Sequence, residues 1–155
     1  MNIQIRDAEK NDVNKIASLL AAYYSEGGIP LDKESIYNSI DEKINLCKKS
    51  DTHTMLLAII DNSIIGYCTV SWVSMVFKMA IEGYIPELLV DKSFRGEGAG
   101  SALIHEVESR ARKLGAFRIM LNCYEHTQCF KTDFYQKLGF IRRSNVSNFV
   151  KEFKP

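Results

Sequence analysis

The segment at residues 95–100, Arg-Gly-Glu-Gly-Ala-Gly, is the part of the chain best suited to chemistry. It follows the apolar run at residues 84–90 and precedes a segment from Ser101 that is predicted to be helical. Glycines let the backbone turn tightly and approach a ligand, and the first turn of a helix offers amide hydrogens without internal partners. Arg95 adds a forked cationic donor suited to phosphate. The segment therefore predicts an anion site for a phosphorylated cofactor.

Two other phosphate-binding loops do not fit this segment. A nucleotide-hydrolysing P-loop requires a lysine before its Ser or Thr, whereas this loop ends Gly100-Ser101. A dinucleotide fingerprint would require a third glycine where Ser101 or Leu103 stands. The pattern that fits is Arg-x-x-Gly-x-Gly, met by Arg95, Gly98 and Gly100. A glycine-rich turn that only caps a helix is the alternative interpretation.

This pattern resembles the acyl-CoA signature of the GNAT N-acetyltransferase superfamily, in which the backbone amides of the loop bind the CoA diphosphate. Residues 5–19 are similar to the family's first strand and first helix. Residues 134–140, Phe-Tyr-Gln-Lys-Leu-Gly-Phe, resemble its C-terminal Phe-Tyr-x-x-x-Gly-Phe motif. The three segments occur in the family's order and span nearly the whole chain. The surroundings of Glu87 and residues 147–149 are loosely similar to small-amine members such as the aminoalkylphosphonate N-acetyltransferases.

The resemblance implies an α/β (α+β) fold in one domain over residues 1–155, with acetyl-CoA as cofactor. It implies a central mixed, mostly antiparallel twisted sheet, helices on both faces, and central strands that splay apart to admit the pantetheine arm. The usual Asn-x-x-Ala contact to that arm is absent, because Gln128 and Lys131 stand there; Asn122 or Thr127 would replace it. The implied cofactor-binding residues are Leu88, Leu89, Val90, Arg95, Gly96, Glu97, Gly98, Ala99, Gly100, Ser101, Asn122, Thr127 and Tyr135.

Two residues are candidates for proton transfer during acetyl transfer to an amine. The motif places Tyr135 beside the CoA sulfur, where a phenol of ordinary pKa near ~10 can donate a proton to the leaving thiolate. Its alternative role is aromatic packing. Glu87 interrupts an apolar strand, so we expect burial to raise the pKa of its carboxyl towards the working pH. It would then act as the base through a water molecule. Its alternative role is to orient the substrate ammonium, and Glu82 is the reserve candidate.

The acceptor amine is expected to lie among aromatic and acidic side chains, because aromatic faces and carboxylates both suit an ammonium group. Ordinary core packing is the alternative for each aromatic residue. The candidates are Tyr23, Tyr24, Glu26, Trp72, Glu82 and Tyr84.

The composition narrows the range of partners. The chain has 155 residues and a formal net charge of +1, which gives no reason to expect nucleic acid or a membrane surface. The sequence lacks an apolar run of the ~20 residues that a membrane span needs, and a signal-peptide core. The four cysteines and three histidines share no metal-ligand spacing. We therefore expect a cytoplasmic protein with reduced thiols and no metal, with residues 73–81 as a homodimer surface or a substrate lid.

Periodicity predicts the elements that must position these residues. A strand near residues 3–5 precedes a helix capped at Asn11 or Asp12, and a second helix begins near Asp32. Residues 55–60 and 64–72 form a hairpin, and residues 84–90 form the central strand. A helix follows the glycine loop and ends at Gly115, and a strand covers residues 116–122. A short helix at residues 130–138 and final strands within residues 140–150 complete the prediction.

Three functions are consistent with this pattern. The first is transfer of an acetyl group from acetyl-CoA to a primary amine of a small molecule, by direct attack in a ternary complex. The second is acetylation of a protein lysine or N-terminus, which requires a groove wide enough for a peptide. The third is a non-catalytic module that senses acyl-CoA.

Overall fold

The computed structural model of the chain describes residues 2–28, 30 and 32–153. The chain divides into two compact units, with the boundary between Asn122 and Cys123. The first unit contains a five-stranded sheet and three long helices, and the second contains two short helices. The prediction of one domain over residues 1–155 stays a prediction. None of the described helices is both long and apolar enough to cross a membrane.

The sheet of the first unit is mixed and mostly antiparallel, as the sequence predicted. Its strands lie in chain order, and each neighbouring pair is antiparallel except the last, which is parallel. The parallel connection requires a crossover, and a helix of this unit supplies it. The strands are β1 (Gln4–Asp7), β2 (His53–Ile60), β3 (Ser63–Met75), β4 (Ala80–Val90) and β5 (Ala116–Leu121).

Helices α1 (Val13–Glu26) and α2 (Lys33–Lys49) cover one face of the sheet. Their buried Ile16, Ile40 and Ile44 pack in one cluster with the odd-numbered residues of β2, including Met55 and Leu57. Side chains alternate between the faces of a strand, so the even-numbered residues of β2 lie on the opposite face. We call the first face the α1–α2 face.

Helix α3 (Ala99–Lys113) packs against β2, β3, β4 and β5 and buries Leu103, Ile104 and Val107 completely. The even-numbered Leu56 and Ala58 of β2 are also fully buried, and they lie outside the cluster formed with α1 and α2. Both faces of the sheet are therefore covered by helices, which confirms the predicted architecture.

A β-bulge interrupts β4 where it passes β3. Glu87 is opposite Thr69 and Tyr84 is opposite Ser71, so two residues of β4, Ile85 and Pro86, face one residue of β3. Such an insertion bends a strand and increases its twist. The pairing of β4 with β5 ends here, at Ile85 opposite Leu121, while β4 continues to Val90. The last five residues of β4 therefore have no strand partner on the β5 side.

The bulge also decides which side chains share a face. Beyond the bulge, Glu87 is opposite Thr69 and Leu89 is opposite Tyr67. Before the bulge, Tyr84 is opposite Ser71 and Glu82 is opposite Val73. The odd-numbered residues of β3 lie on the α1–α2 face, since Tyr67 belongs to the cluster formed with α1 and α2. The five residues of β4 that therefore share this face are Ala80, Glu82, Tyr84, Glu87 and Leu89.

The second unit differs from the prediction. In place of one helix it has α4 (Gln128–Lys131) and α5 (Phe134–Lys137), separated at Asp133, whose φ is 52°. The prediction of final strands within residues 140–150 is wrong, because the described residues there form none. Ile141 and Phe149 are 87% and 92% exposed, so alternation in this segment buries no apolar face that would stabilise a strand.

The start of α1 is held by a buried carboxylate. Asp12 accepts hydrogen bonds from Arg6 Nη1 at 2.7 Å, from Arg6 Nη2 at 2.8 Å and from the Glu9 amide at 2.8 Å. It occupies the N-cap position of α1 as predicted, but its side chain does not bond the amides of that helix. The hydrogen bond from Arg6 holds the pKa of Asp12 below its ordinary value. This carboxylate therefore stabilises the fold only while it is charged.

We expect Asp12→Asn to lower the free energy of unfolding by about 1–2 kcal/mol at pH 7, because it weakens a charged hydrogen-bond pair. The pKa of Asp12 is lower in the folded protein than the ~3.9 of the unfolded chain, so the charged carboxylate stabilises the fold fully above that value. This contribution is lost as the pH falls through the pKa of the folded protein. The difference between wild type and variant should therefore shrink below about pH 4. Urea unfolding at several pH values measures it, with the exposed Asp51→Asn as control. A difference independent of pH would contradict the assignment.

Candidate active site

The glycine loop has the backbone geometry of an anion site. Gly96 and Gly98 have φ values of 86° and 90°, a left-handed region that side chains disfavour. Gly98 is the N-cap of α3. The backbone amides of Ala99, Gly100 and Ser101 have no acceptor among the described residues, and no side chain caps the helix. These amides form the positive end of a 15-residue helix, so the loop fits a diphosphate.

Arg95 is held against the end of β4 and the end of α1. Its Nε donates to the Val90 carbonyl at 3.0 Å, and its guanidinium lies 3.6 Å from the Glu26 carboxylate. Arg95, which is predicted to contact phosphate, thus also links the glycine loop to β4 and α1. The sequence alone did not reveal that these two elements lie beside the loop. Glu26 and Arg95 are both partly exposed, so this ion pair adds at most about 1 kcal/mol to stability.

A shallow cleft opens beside this ion pair. It lies between the C-terminal half of α1, the end of β4 and the first residues of the loop. It brings Tyr23 and Glu26 of the acceptor candidates together with Leu89, Val90 and Arg95 of the cofactor candidates. The residues that line it are Leu19, Ala22, Tyr23, Glu26, Leu89, Val90, Asp91, Lys92 and Arg95.

The end of β4 offers backbone to an extended ligand. Beyond Ile85 the strand pairs with β3 but no longer with β5. Pro86 has no amide hydrogen, so it cannot continue the β5 ladder. One 3-10 turn, Lys92–Phe94, joins the segment over residues 88–90 to the glycine loop. A molecule with an elongated arm and a diphosphate could therefore bond first to strand backbone and then to helix amides.

Glu87 is exposed on the part of β4 that extends beyond its pairing with β5. The expectation that the strand would bury it is wrong, because its pairing with β5 has already ended. The hydroxyl of the buried Thr69 donates to Glu87 Oε2 at 3.2 Å and so fixes the carboxylate. The pKa of the neighbouring Tyr67 is raised, first by burial and then by the negative charge of Glu87. Glu87 is thus a solvent-exposed carboxylate whose orientation is fixed by Thr69.

Two tyrosines of α1 lie on the same side of the sheet as Glu87. Tyr23 and Tyr24 meet edge to face with their ring centroids 5.9 Å apart. The negative form of either phenol would also raise the pKa of Tyr67, which shows that both lie near it. Tyr23, Tyr24 and Glu87 thus all lie near Tyr67, and Tyr23 is 48% exposed to solvent.

The other acceptor candidates have different environments. Glu82 is 8% exposed and forms an ion pair with Arg118 of β5. Tyr84 accepts a hydrogen bond from Asn122 Nδ2 at 3.3 Å, where β5 ends. Trp72 is buried, packs on Gly83 and donates to Thr54, and it lies on the face opposite to Glu87. The structure therefore does not bring Trp72 to the cleft.

Tyr135 and Thr127 belong to the second unit. The Tyr135 ring contacts Phe134 and Phe140 edge to face, at centroid distances of 4.9 Å and 5.6 Å. These contacts fix the ring within the Phe-Tyr-x-x-x-Gly-Phe motif. Thr127 precedes α4, and its hydroxyl donates to the Tyr124 carbonyl and lies near two cysteine sulfurs.

Sequence reasoning missed Thr69 and Tyr67. Both alternate on β3 with fully buried neighbours, and the register places them opposite Glu87 and Leu89. Counting back along the β3–β4 hairpin could have found them, but the extra residue at Ile85 and Pro86 shifts such a count by one.

Comparison with protein-family models identifies one family. A family model described as the acetyltransferase (GNAT) family matches residues 13–140. Glucosamine 6-phosphate N-acetyltransferase from Trypanosoma brucei brucei is 38% identical over 58 residues, covering 37% of this chain and 37% of that protein. The chain spans less than half the length of the curated relatives that it matches.

Two solved structures share the fold. The ribosomal-protein-alanine N-acetyltransferase from Brucella melitensis biovar Abortus 2308 has a TM-score of 0.77 at 18% identity, covering 99% of this chain and 100% of that one. An aminoglycoside acetyltransferase from an uncultured soil metagenomic sample, in complex with sisomicin, has a TM-score of 0.76 at 18% identity, with 98% and 97% covered. At these identities the similarity shows the fold alone.

Proposed function

Because the chain belongs to the acetyltransferase (GNAT) family, we propose that it transfers an acetyl group from acetyl-CoA to a primary amine of a small molecule. Acetyl-CoA is the acyl donor of the family and supplies an activated thioester carbonyl. The observation that carries the proposal is the end of β4, which has no partner on the β5 side and is followed along the chain by the uncapped amides at the start of α3. This combination suits an acyl-CoA better than a nucleotide alone.

Different segments of the chain would bind different parts of acetyl-CoA. The amides of Ala99, Gly100 and Ser101 would hold the diphosphate, with Arg95 as an additional cation. The backbone of residues 88–90 would bond the pantetheine arm, since this part of β4 lacks a partner on the β5 side. Gly96, Glu97 and Gly98 would shape the turn that lets the backbone approach the phosphates.

Glu87 is proposed as the base, acting through a water molecule. An amine with an ordinary pKa near ~10.4 is mostly protonated at neutral pH and must lose a proton before attack. A carboxylate fixed by Thr69 can receive that proton, and positioned bases typically contribute ~10²–10⁴-fold to the rate. Tyr135 is proposed as the proton donor to the leaving thiolate, on the strength of its place in the C-terminal motif.

The acceptor is proposed to be an amino sugar or a similarly small polar amine. The Glu87 carboxylate and the rings of Tyr23 and Tyr24, all near Tyr67, are of the kinds that suit an ammonium substituent. The relative from Trypanosoma brucei brucei is named for glucosamine 6-phosphate, and one structural neighbour contains the aminoglycoside sisomicin. Amino sugars and their phosphates are therefore the first acceptors to test.

Binding and turnover test the function separately. Calorimetry with acetyl-CoA should show binding, and release of free CoA should then require an added amine. The amines to test are glucosamine 6-phosphate, aminoglycosides, diamines, aminophosphonates, amino acids and lysine peptides. Turnover with peptides alone would assign a protein acceptor, and binding without turnover would indicate an acyl-CoA sensor. The background rate without amine is the control for thioester hydrolysis.

We expect Glu87→Gln to lower kcat about 10- to 100-fold at neutral pH, because the amide keeps the shape but accepts no proton. Thr69→Val is the matched variant, since it removes the hydroxyl that fixes Glu87 and keeps the volume. It should lower kcat only a few-fold. A raised KM for the amine with kcat retained would instead show that Glu87 orients the ammonium.

A further inference from the structure

Two cysteines of the second unit lie close together. Cys123 Sγ and Cys129 Sγ are 3.0 Å apart, and both residues are half-buried. The Thr127 hydroxyl lies 3.5 Å from the first sulfur and 3.1 Å from the second. Both cysteines are free thiols. The sequence contains no Cys-x-x-Cys motif, so this pair was not recognisable from spacing alone.

The backbone of the intervening loop holds the pair together. The Thr127 amide donates to the Tyr124 carbonyl at 3.0 Å, which folds the chain into a turn immediately after Cys123. The Lys131 amide then donates to the Thr127 carbonyl at 3.2 Å and starts α4, which carries Cys129. The two sulfurs are therefore brought together by main-chain hydrogen bonds within the loop, and little movement separates them from bonding distance.

We propose that Cys123 and Cys129 form a reversible intramolecular disulfide when the protein meets a small-molecule disulfide. One cysteine thiolate attacks the oxidant RSSR and releases RS⁻, which leaves a mixed disulfide on the protein. The second thiolate attacks the protein sulfur of that bond and releases a second RS⁻. Two protein thiols thus lose two protons and two electrons, and the oxidant is reduced to two thiols.

The environment of the pair does not favour nucleophilic catalysis. Burial and the hydrogen bond with Cys129 raise the pKa of the Cys123 thiol, which lowers its thiolate fraction at neutral pH. Reactive catalytic cysteines have lowered pKa values instead. The same chain contains a contrasting thiol in Cys68, which is fully buried and whose pKa burial raises to about 12.

Disulfide formation would stiffen the segment between Asn122 and α4. It closes a ring from residue 123 to residue 129 and removes both thiol hydrogens from the neighbourhood of the Thr127 hydroxyl. Amide hydrogen exchange in residues 123–131 should therefore be slower in the oxidised protein than in the reduced protein. This part of the inference is independent of the acetyltransferase proposal.

Peptide mapping tests the disulfide directly. The folded, reduced protein is incubated with oxidised glutathione, quenched with an alkylating agent and digested without reductant. We expect a peptide containing Cys123 and Cys129 that is about 2 Da lighter than the dithiol, carries no glutathione and is restored by dithiothreitol. Cys68 should remain a thiol. Stable glutathione adducts on Cys123 or Cys129 would overturn the proposal, as would a disulfide to Cys47.

Single substitutions distinguish the internal disulfide from simple exposure. In Cys129→Ser the second step lacks its thiol, so the glutathione adduct on Cys123 should accumulate at least about tenfold over wild type. Cys123→Ser should give the reciprocal adduct on Cys129. Cys47→Ser, which changes a half-buried thiol on α2, should leave the internal disulfide unchanged. Equal adduct levels in wild type and in Cys129→Ser would refute the proposal even if both proteins fold normally.

Discussion

Gly98→Asp is expected to raise the Kd for acetyl-CoA at least about 100-fold, which corresponds to about 2.7 kcal/mol. Gly98 is the N-cap of α3, and an aspartate at this position accepts hydrogen bonds from the second and third amides of the helix. Those amides belong to Gly100 and Ser101, which the diphosphate would otherwise bind. The carboxylate would also repel the phosphates and add a side chain at a φ of 90°.

The other end of the same helix provides the control. Gly115 also has a left-handed φ, 66°, and a Cβ there would meet no atom within 4 Å. Gly115→Asp therefore adds the same charge and a similar backbone strain at the C-terminal end of α3. It should bind acetyl-CoA as wild type does, in calorimetry at low ionic strength. Unchanged binding by Gly98→Asp would show that the loop is only a turn.

Tyr135→Phe is expected to lower kcat at least about tenfold while the Kd for acetyl-CoA changes by less than about twofold. The substitution removes the proposed proton donor to the leaving thiolate. It keeps the ring, and hence the edge-to-face contacts with Phe134 and Phe140 that fix it. Steady-state rates with a saturating amine, together with calorimetry for the cofactor, separate these two effects.

Tyr124→Phe is the matched control for Tyr135→Phe. Tyr124 belongs to the same unit, is 73% exposed and packs on His126. Loss of its hydroxyl should leave kcat unchanged. Equal turnover in Tyr135→Phe and wild type would remove Tyr135 from the mechanism, and a loss of kcat in both variants would point to an effect on the fold of this unit.

Local signals in the sequence were sufficient for most elements of the first unit. Asp61-Asn62 closes the β2–β3 hairpin with φ values of 46° and 62°, as such a turn requires. Asp32 caps α2 by accepting from the Glu34 and Ser35 amides, and α3 ends just before Gly115. These features depend on a few neighbouring residues, so spacing and residue type determine them.

Features that depend on pairing between distant segments were not predictable. Residues 73–82, which the sequence left open between strand continuation and a loop, form the end of the β3–β4 hairpin: pairing continues to Met75 opposite Ala80, and residues 76–79 make the turn. The exposure of Glu87 and the position of Trp72 on the opposite face follow from strand register, which periodicity does not reveal. The prediction of strands within residues 140–150 was wrong for the same reason, because alternation predicts a strand only where another element covers one of its faces.

The extra residue in β4 also gives this segment a role that no single side chain carries. Simple alternation from Tyr84 would turn Glu87 to the side of α3, and the bulge returns it to the α1–α2 face. Deletion of Pro86 would remove the bulge but leave Glu87 opposite Thr69, so every proposed catalytic residue would keep its face while the local bend of β4 is lost. Loss of activity in a variant shortened by one position here would therefore report a requirement for the bent strand rather than the loss of any functional group.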